Sequence, residues 1–208
     1  MAEKYDQELL KVTTTEFRVS HPHLFKPSQM MRDGRPLGEP AYSIEMLFDK
    51  SKTDLKTLQA PIHHACIAKW GKDKSKWPTP LKMPIRDGDK PHGKKKEVKP
   101  EHAGQWVVKA SSKGEYQAPP LVDQKVQPII NQADFYPGCY GRAALKAFAY
   151  EMSEDAVGVK FILDGVQKTK DGVAIGGRKS ADQIFGALES NDFEDFGPSQ
   201  TEDDEIPF

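Results

Sequence analysis

The chain has 208 residues, with 30 Lys and Arg against 31 Asp and Glu, 37% hydrophobic residues and two cysteines, Cys66 and Cys139. That length suits one domain with an appendage or at most two small domains, and two cysteines are too few for a disulfide scaffold. Met1 to Lys11 is charged and lacks the apolar run of a secretory signal, and no stretch approaches bilayer-spanning length, so the expectation is a reducing cytoplasm and no membrane partner.

Residues 1–10 read as a polar arm. Val12 to Ser20 (VTTTEFRVS) is β-branched and alternating, which predicts a strand ended by His21-Pro22. Phe25 to Pro40 holds three prolines and two glycines, which predicts a loop turning at Arg32-Asp33-Gly34-Arg35. Ala41 to Phe48 sets Tyr42, Ile44, Met46 and Phe48 against Ser43, Glu45 and Leu47, a second strand. Thr53 is placed to cap a helix with Asp54 in its first turn. Leu55, Leu58, Ile62, Cys66 and Trp70 then form one apolar stripe, with Pro61 expected to kink or split the helix and Gly71 to end it. In that stripe Cys66 is a packing residue.

Most of Lys72 to Ala103 has no hydrophobic period. From Lys69 to Lys113 thirteen basic residues face five acids, so this is a long basic excursion of the kind that is functional or disordered. Trp106 to Ser111 reads as a short strand, with Glu115 to Val122 a partner interrupted by Pro119-Pro120. Tyr140 to Tyr150 presents Tyr140, Arg142, Lys146, Phe148 and Tyr150 on one face, and Gly141, Ala143, Leu145, Ala147 and Ala149 on the other, as a tightly curved barrel interior needs. Ala-Ala-Leu-Lys-Ala would also suit a helix, but the preceding Pro137-Gly138 and the aromatic alternation favour a strand. Val157 to Val166 is another strand, Lys170-Asp171-Gly172 a turn, and Ala181 to Leu188 a short helix capped by Ser180. The fold class expected is mainly β (α+β): an OB-fold-like barrel of five to six strands, with one inserted helix and long loops. It would occupy residues 1–188, with a disordered acidic tail at 189–208.

The net charge of −1 conceals a division. Residues 182–208 hold nine acids and no Lys or Arg, which leaves 30 basic against 22 acidic residues in 1–181. A basic body implies a polyanionic partner, for which an acidic extension would compete. Sequence-tolerant single-strand binding needs cations for phosphates and flat rings on which bases stack. The phosphate candidates are Arg86, Lys90, Lys94, Lys95, Lys96, Lys99, Lys109, Arg142 and Lys146; the stacking candidates are Trp106, Tyr116, Tyr136, Tyr140, Phe148 and Tyr150. An aromatic taken alone is more often core than platform, and a lysine cluster alone is more often a solvated loop. The Tyr140–Tyr150 face is the stronger signal because Arg142 and Lys146 lie between its rings. None of this separates DNA from RNA.

Other motifs fail on chemistry. Gly172-Val-Ala-Ile-Gly-Gly177-Arg-Lys-Ser180 resembles a phosphate-binding loop with Arg178 at the lysine position and no βαβ setting, so it reads as a glycine-rich connector. His63-His64-x-Cys66 has no Cys-x-x-Cys companion, and no nucleophile, base and acid stand at catalytic spacing. The expectation is no metal, no cofactor and no enzymatic activity.

The tail is more specific than its charge. Glu202 to Glu205 are four consecutive acids, followed by Ile206-Pro207-Phe208. Such a segment cannot fold alone and reads as a solvated leash ending in a hydrophobic hook. It resembles the acidic tip of bacterial single-stranded-DNA-binding proteins, Asp/Glu-rich and then Ile-Pro-Phe or Leu-Pro-Phe. That likeness implies that Asp203, Asp204, Glu205, Ile206, Pro207 and Phe208 dock replication, recombination or repair proteins.

The body, through Phe135-Tyr-Pro-Gly-Cys-Tyr-Gly-Arg-Ala143 and most of residues 10–185, resembles a family of phage-encoded single-stranded-DNA-binding proteins long described only as a domain of unknown function. That resemblance implies an OB-fold that binds single-stranded DNA without sequence preference and protects it during phage replication, recombination and repair in the host bacterial cytoplasm. The helix after the second strand and the lysine-rich excursion depart from the bacterial domain itself, so its tetramer and its DNA contacts are not carried over; a homodimer stays open. Two other readings stand beside this one. One is an interaction or decoy protein that shows the tail to host repair proteins; the other is a ring-forming single-strand annealing protein.

Overall fold

The computed structural model describes residues 5–32, 34–92, 97–153 and 156–176; the expectations for Lys94, Lys95 and Lys96, for the 181–188 helix and for the tail fall outside them. The described residues form eight strands and one α-helix. These are β1 (Lys11–Thr13), β2 (Phe17–Arg32), β3 (Arg35–Asp49), α1 (Lys56–Trp70), β4 (Ile85–Asp87), β5 (Gln105–Lys113), β6 (Leu121–Val122), β7 (Tyr140–Glu151) and β8 (Val157–Lys170).

Five of the strands close a ring. β7 pairs with β2, β2 with β3, β3 with β5, β5 with β8, and β8 returns to β7. All these contacts are antiparallel except β5–β8, which is parallel. This is the small closed barrel expected of an OB-like mainly-β fold. Its interior follows from strict alternation. β7 turns Gly141, Ala143, Leu145, Ala147 and Ala149 inward, all buried. Facing them are Phe17 and Val19, Ile44, Met46 and Phe48, Val108 and Ala110, and Val159, Phe161 and Leu163. The small residues of β7 leave room for the rings, and Phe17 and Phe48 pack tilted with centroids 5.6 Å apart. A fully buried side chain such as Phe161 contributes about 1.5–3 kcal/mol relative to leaving it in water.

Three local expectations change. The 25–40 stretch is not a loop but the outer half of a long β2–β3 hairpin turning at Gly34, whose φ is +77°. Its prolines are tolerated because β2 beyond Arg18 and β3 before Ala41 have no second ladder partner, so a missing N–H breaks nothing. Pairing also shifts register three times between Ser20 and Met30. The α1 helix runs unbroken through Pro61, which is buried. It starts without a Thr53 cap, and the Asp54 carboxylate instead accepts from the Lys56 N–H at 2.9 Å. Leu58, Ile62 and Cys66 of its stripe are buried as expected. Finally, the 115–122 partner strand shrinks to the two residues of β6.

Part of the basic excursion is structural. β5 and β8 pair only at Ala110–Phe161 and Ser111–Ile162, then diverge. Residues 82–87 fill the gap. Lys82 bridges to β8, its N–H donating to Val157 O at 3.0 Å and its carbonyl accepting from Val159 N–H at 2.8 Å. β4 then pairs along β5 from Ile85–Val108 to Asp87–Trp106. This wedge carries Met83 and Arg86 onto the outer face of the barrel.

Candidate nucleic-acid interface

Outward positions on β3 and β5 follow from the same alternation. Ser43 stands opposite Ser111 and Glu45 opposite Lys109, with Ser20 of β2 on the other side of Glu45. Two adjoining depressions on this face share Lys109 and Ser111. One, of about 360 Å³, is lined by His23, Ser28, Glu39, Ser43 and these two. The other, of about 310 Å³, adds Lys82, Met83, Arg86, His92, Tyr150 and Lys160. Together they form a groove that runs from the root of the long hairpin, across β5, to the β7–β8 edge. It offers cations, hydroxyls and a ring at once, the components of a single-strand track.

Charge pairing separates the available cations from the committed ones. Lys50 is bound by Asp87 and Asp89, Lys168 by Asp171 at 2.6 Å, Lys170 by Glu16 at 2.6 Å and Lys113 by Glu115 at 3.0 Å. The ammonium groups of Lys50, Lys113, Lys168 and Lys170 are held above the ordinary lysine range. For Lys50, Lys113 and Lys170 the main cause is the hydrogen-bonded carboxylate; for Lys168 burial is the largest effect and acts downward, but Asp171, Cys139 and Tyr136 together raise it. Among the described residues, neither Lys109 nor Lys160 has a carboxylate partner, and both line the groove. Lys160 lies 5.6 Å from the centroid of the Phe148 ring, which is 46% exposed, and the two are register partners on β8 and β7.

Under this floor sits a polar cluster. The Glu45 carboxylate has Arg86 Nη2 at 3.4 Å, His21 Nδ1 at 3.5 Å and His102 Nε2 at 3.7 Å. Arg86 also points both terminal nitrogens at His102 Nδ1, at 3.4 and 3.5 Å, and the Lys99 ammonium donates to His21 Nε2 at 3.1 Å. His102 is 2% exposed, and burial, with Arg86 next, holds its pKa below the usual imidazole value.

The predicted site residues are thus divided. Arg86, Lys109 and Tyr150 meet in the groove, Phe148 joins through Lys160, and Lys99 reaches its floor through His21. Lys90 is exposed in the turn after β4. The Tyr140–Tyr150 face does not stay together. Tyr140 lies at the other end of β7, in a depression with Glu16, Arg18 and Lys170. Arg142 donates to Gln167 Oε1 at 2.8 Å, and Lys146 sits beside Lys11 on β1. A strand curling around a barrel turns its two ends toward different neighbours.

Two of the stacking candidates are partly buried against the core. Trp106 shares the inward side of β5 with Val108 and Ala110 and packs on the core. Tyr136 also packs on the core, its hydroxyl 3.0 Å from both Asp171 Oδ1 and Gly172 O. Tyr116 is 59% exposed, away from the groove lining, under Lys113. The sequence reading missed Lys82, Lys160, His21, Glu45 and His102. Lys160 was legible as the one outward cation of the Val157–Leu163 alternation; the others depend on long-range placement.

A family profile described as "Enterobacter phage Enc34, ssDNA-binding protein" matches residues 10–196. Among solved structures, the single-stranded DNA-binding protein from bacteriophage Enc34 in complex with ssDNA is similar with a TM-score of 0.64 and 24% identity, over 80% of this chain and 90% of that one. The C-terminal truncation of the same phage protein gives 0.62 and 23%, over 80% and 89%. The single-stranded DNA-binding protein gp2.5 encoded by bacteriophage T7 gives 0.55 and 14%, over 87% and 96%. At these identities the structural likeness is one of fold. No curated protein sequence matches.

Proposed function

Because the chain belongs to the family of the Enterobacter phage Enc34 ssDNA-binding protein, we propose that its β3–β5 groove binds single-stranded DNA with little sequence preference. The observation that carries this reading is the pair Lys109 and Lys160, without a carboxylate partner among the described residues, in a groove that also holds Tyr150. Phosphates would follow Lys109, Lys160 and Arg86, with Ser43 and Ser111 as hydroxyl donors. Bases would stack on Tyr150 and Phe148, each stack contributing about 1–3 kcal/mol. No contact of this kind reads a base edge, so the preference is for a single strand rather than for a sequence.

The finer role follows as part of the same proposal. The protein coats and protects single strands during phage replication, recombination and repair. Residues 1–188 are the binding body, and residues 189–208 are a tail whose Asp203–Phe208 segment engages partner proteins and, when no DNA is bound, competes for the basic face.

The test is a fluorescence titration of labelled oligo-dT and of duplex of equal length, repeated across a salt series. Tight oligo-dT binding, weak duplex binding and a steep salt slope support the reading. Failure to bind either would sink it and favour a protein that acts through its tail alone. Removal of residues 201–208 should leave oligo-dT binding unchanged or tighter, and a clear loss of affinity would refute the competing tail.

A further inference from the structure

We propose that the groove floor is an anion subsite occupied in the free protein by the chain's own Glu45 and in the complex by a backbone phosphate of the strand. This rests on the single-strand reading above and adds a subsite and a gate to it.

Glu45 is an acid at the centre of a face that would attract a polyanion, between Ser20 and Lys109 in the sheet register. Donors converge on it from three separate segments: His21 from β2, Arg86 from β4, and His102 from the stretch before β5. The tautomers follow from the outer neighbours. Arg86 donates into His102 Nδ1, which puts the ring proton on Nε2, facing Glu45. Lys99 donates into His21 Nε2, which puts that proton on Nδ1, where it is held by Ser20 Oγ at 2.6 Å, with Glu45 Oε2 next to it at 3.5 Å. The carboxylate is therefore ringed by N–H groups.

The fit is loose. At 3.4, 3.5 and 3.7 Å the contacts are longer than ordinary charge-assisted hydrogen bonds, and both Glu45 Oε2 and His102 Nε2 are buried with no hydrogen-bond partner among the described residues. Buried polar atoms left unmade are costly and call for an explanation. A tetrahedral phosphate offers such a ring of donors more acceptor oxygens than a flat two-oxygen carboxylate does.

His21 adds an independent sign. Its φ is +45°, at a break in the β2–β3 ladder between Ser20 and His23, a backbone state rarely used by residues other than glycine. That strained turn aims its ring at Glu45. The ligand atoms of His21, Glu45 and His102 also lie within 4.8 Å of one another, as a divalent metal site would require. Protonated nitrogens cannot ligate a metal, however, and the fixed charges of Arg86 and Lys99 beside them oppose a further cation. The cluster is built to receive an anion.

Glu45→Gln tests this, since it removes the charge and keeps the shape. Oligo-dT anisotropy at fixed salt is read beside thermal unfolding of the full chain. Glu45→Gln should bind at least about five-fold tighter than wild type, because a like charge within about 4 Å of a phosphate is removed. Equal or weaker binding by a folded variant would overturn the subsite. Lys99→Ala, an exposed change, should weaken binding, and no loss would also count against it. If wild type fails to bind oligo-dT, the functional reading is what fails, and inorganic phosphate decides the subsite. At constant ionic strength, phosphate should raise the melting temperature of Glu45→Gln more than that of wild type. An equal rise in both would overturn it.

Discussion

Gly158 on β8 is where the basic wedge is fastened, and filling that point should loosen the groove. A Cβ added there would lie 2.3 Å from Lys82 O and 2.8 Å from Lys82 Cβ, both on the segment that must stay close. Ordinary contact requires Lys82 to retreat by about 1 Å. Retreat stretches the two hydrogen bonds that tie it to β8, Lys82 N to Val157 O and Val159 N to Lys82 O. At a net of about 0.5–1.5 kcal/mol each they sum to about 1–3 kcal/mol, the same range as overpacking a core by a methyl group. For a chain of this size that is a fall in Tm of roughly 2–12 °C. Because the wedge carries Arg86 and Met83 into the groove, oligo-dT affinity should fall with it. Gly165→Ala is the control, since its Cβ meets Pro120 Cγ at 3.2 Å, a contact that yields with a small adjustment. Differential scanning calorimetry and an oligo-dT titration read both effects. A Gly158→Ala protein with wild-type Tm and affinity would refute the claim that this close approach positions the interface.

Two further predictions concern charge. Lys109→Ala and Lys160→Ala should each weaken oligo-dT binding uniformly across sequences and lower the salt slope by about one, as loss of a phosphate contact does. Arg142→Ala, whose guanidinium is engaged with Gln167 away from the groove, should change neither. His102 and His63 are held below the usual imidazole pKa, chiefly by burial, so both are neutral in the folded protein at pH 7. Their contribution to stability is therefore complete above about pH 6.5, the unfolded value, and is lost as pH falls below it toward the folded pKa. Urea midpoints at pH 7.5 and 5.5 should drop more for wild type than for His102→Gln; an equal drop would remove His102 as a cause.

Regular alternation was readable in the chain, and irregular placement was not. Tyr140 to Tyr150 disclosed its inward face because period-two burial in a barrel leaves small residues on one side only. The β2–β3 hairpin was hidden by its prolines, which usually mark loops but are harmless where a ribbon has no second partner. Thr53 does not cap α1, and the Asp54 carboxylate takes the Lys56 N–H just before the helix, a local choice that composition cannot resolve. Trp106 and Tyr136 show that sequence does not say which way a ring is turned. Both lie in aromatic-basic sequence, but one faces the core and the other is tied down by Asp171 and Gly172. The groove itself draws on positions from 21 to 160, brought together by ring closure and by a wedge with no period of its own.

Where the strand lies is settled most directly by photocrosslinking. Oligo-dT carrying a halogenated uracil is irradiated on the full chain, and the linked peptides are mapped by mass spectrometry. Crosslinks centred on Tyr150 and Phe148, lost when oligo-dT is competed away, are the predicted result. Crosslinks confined to Tyr116, Tyr136 or Tyr140 would place the strand elsewhere and contradict the groove.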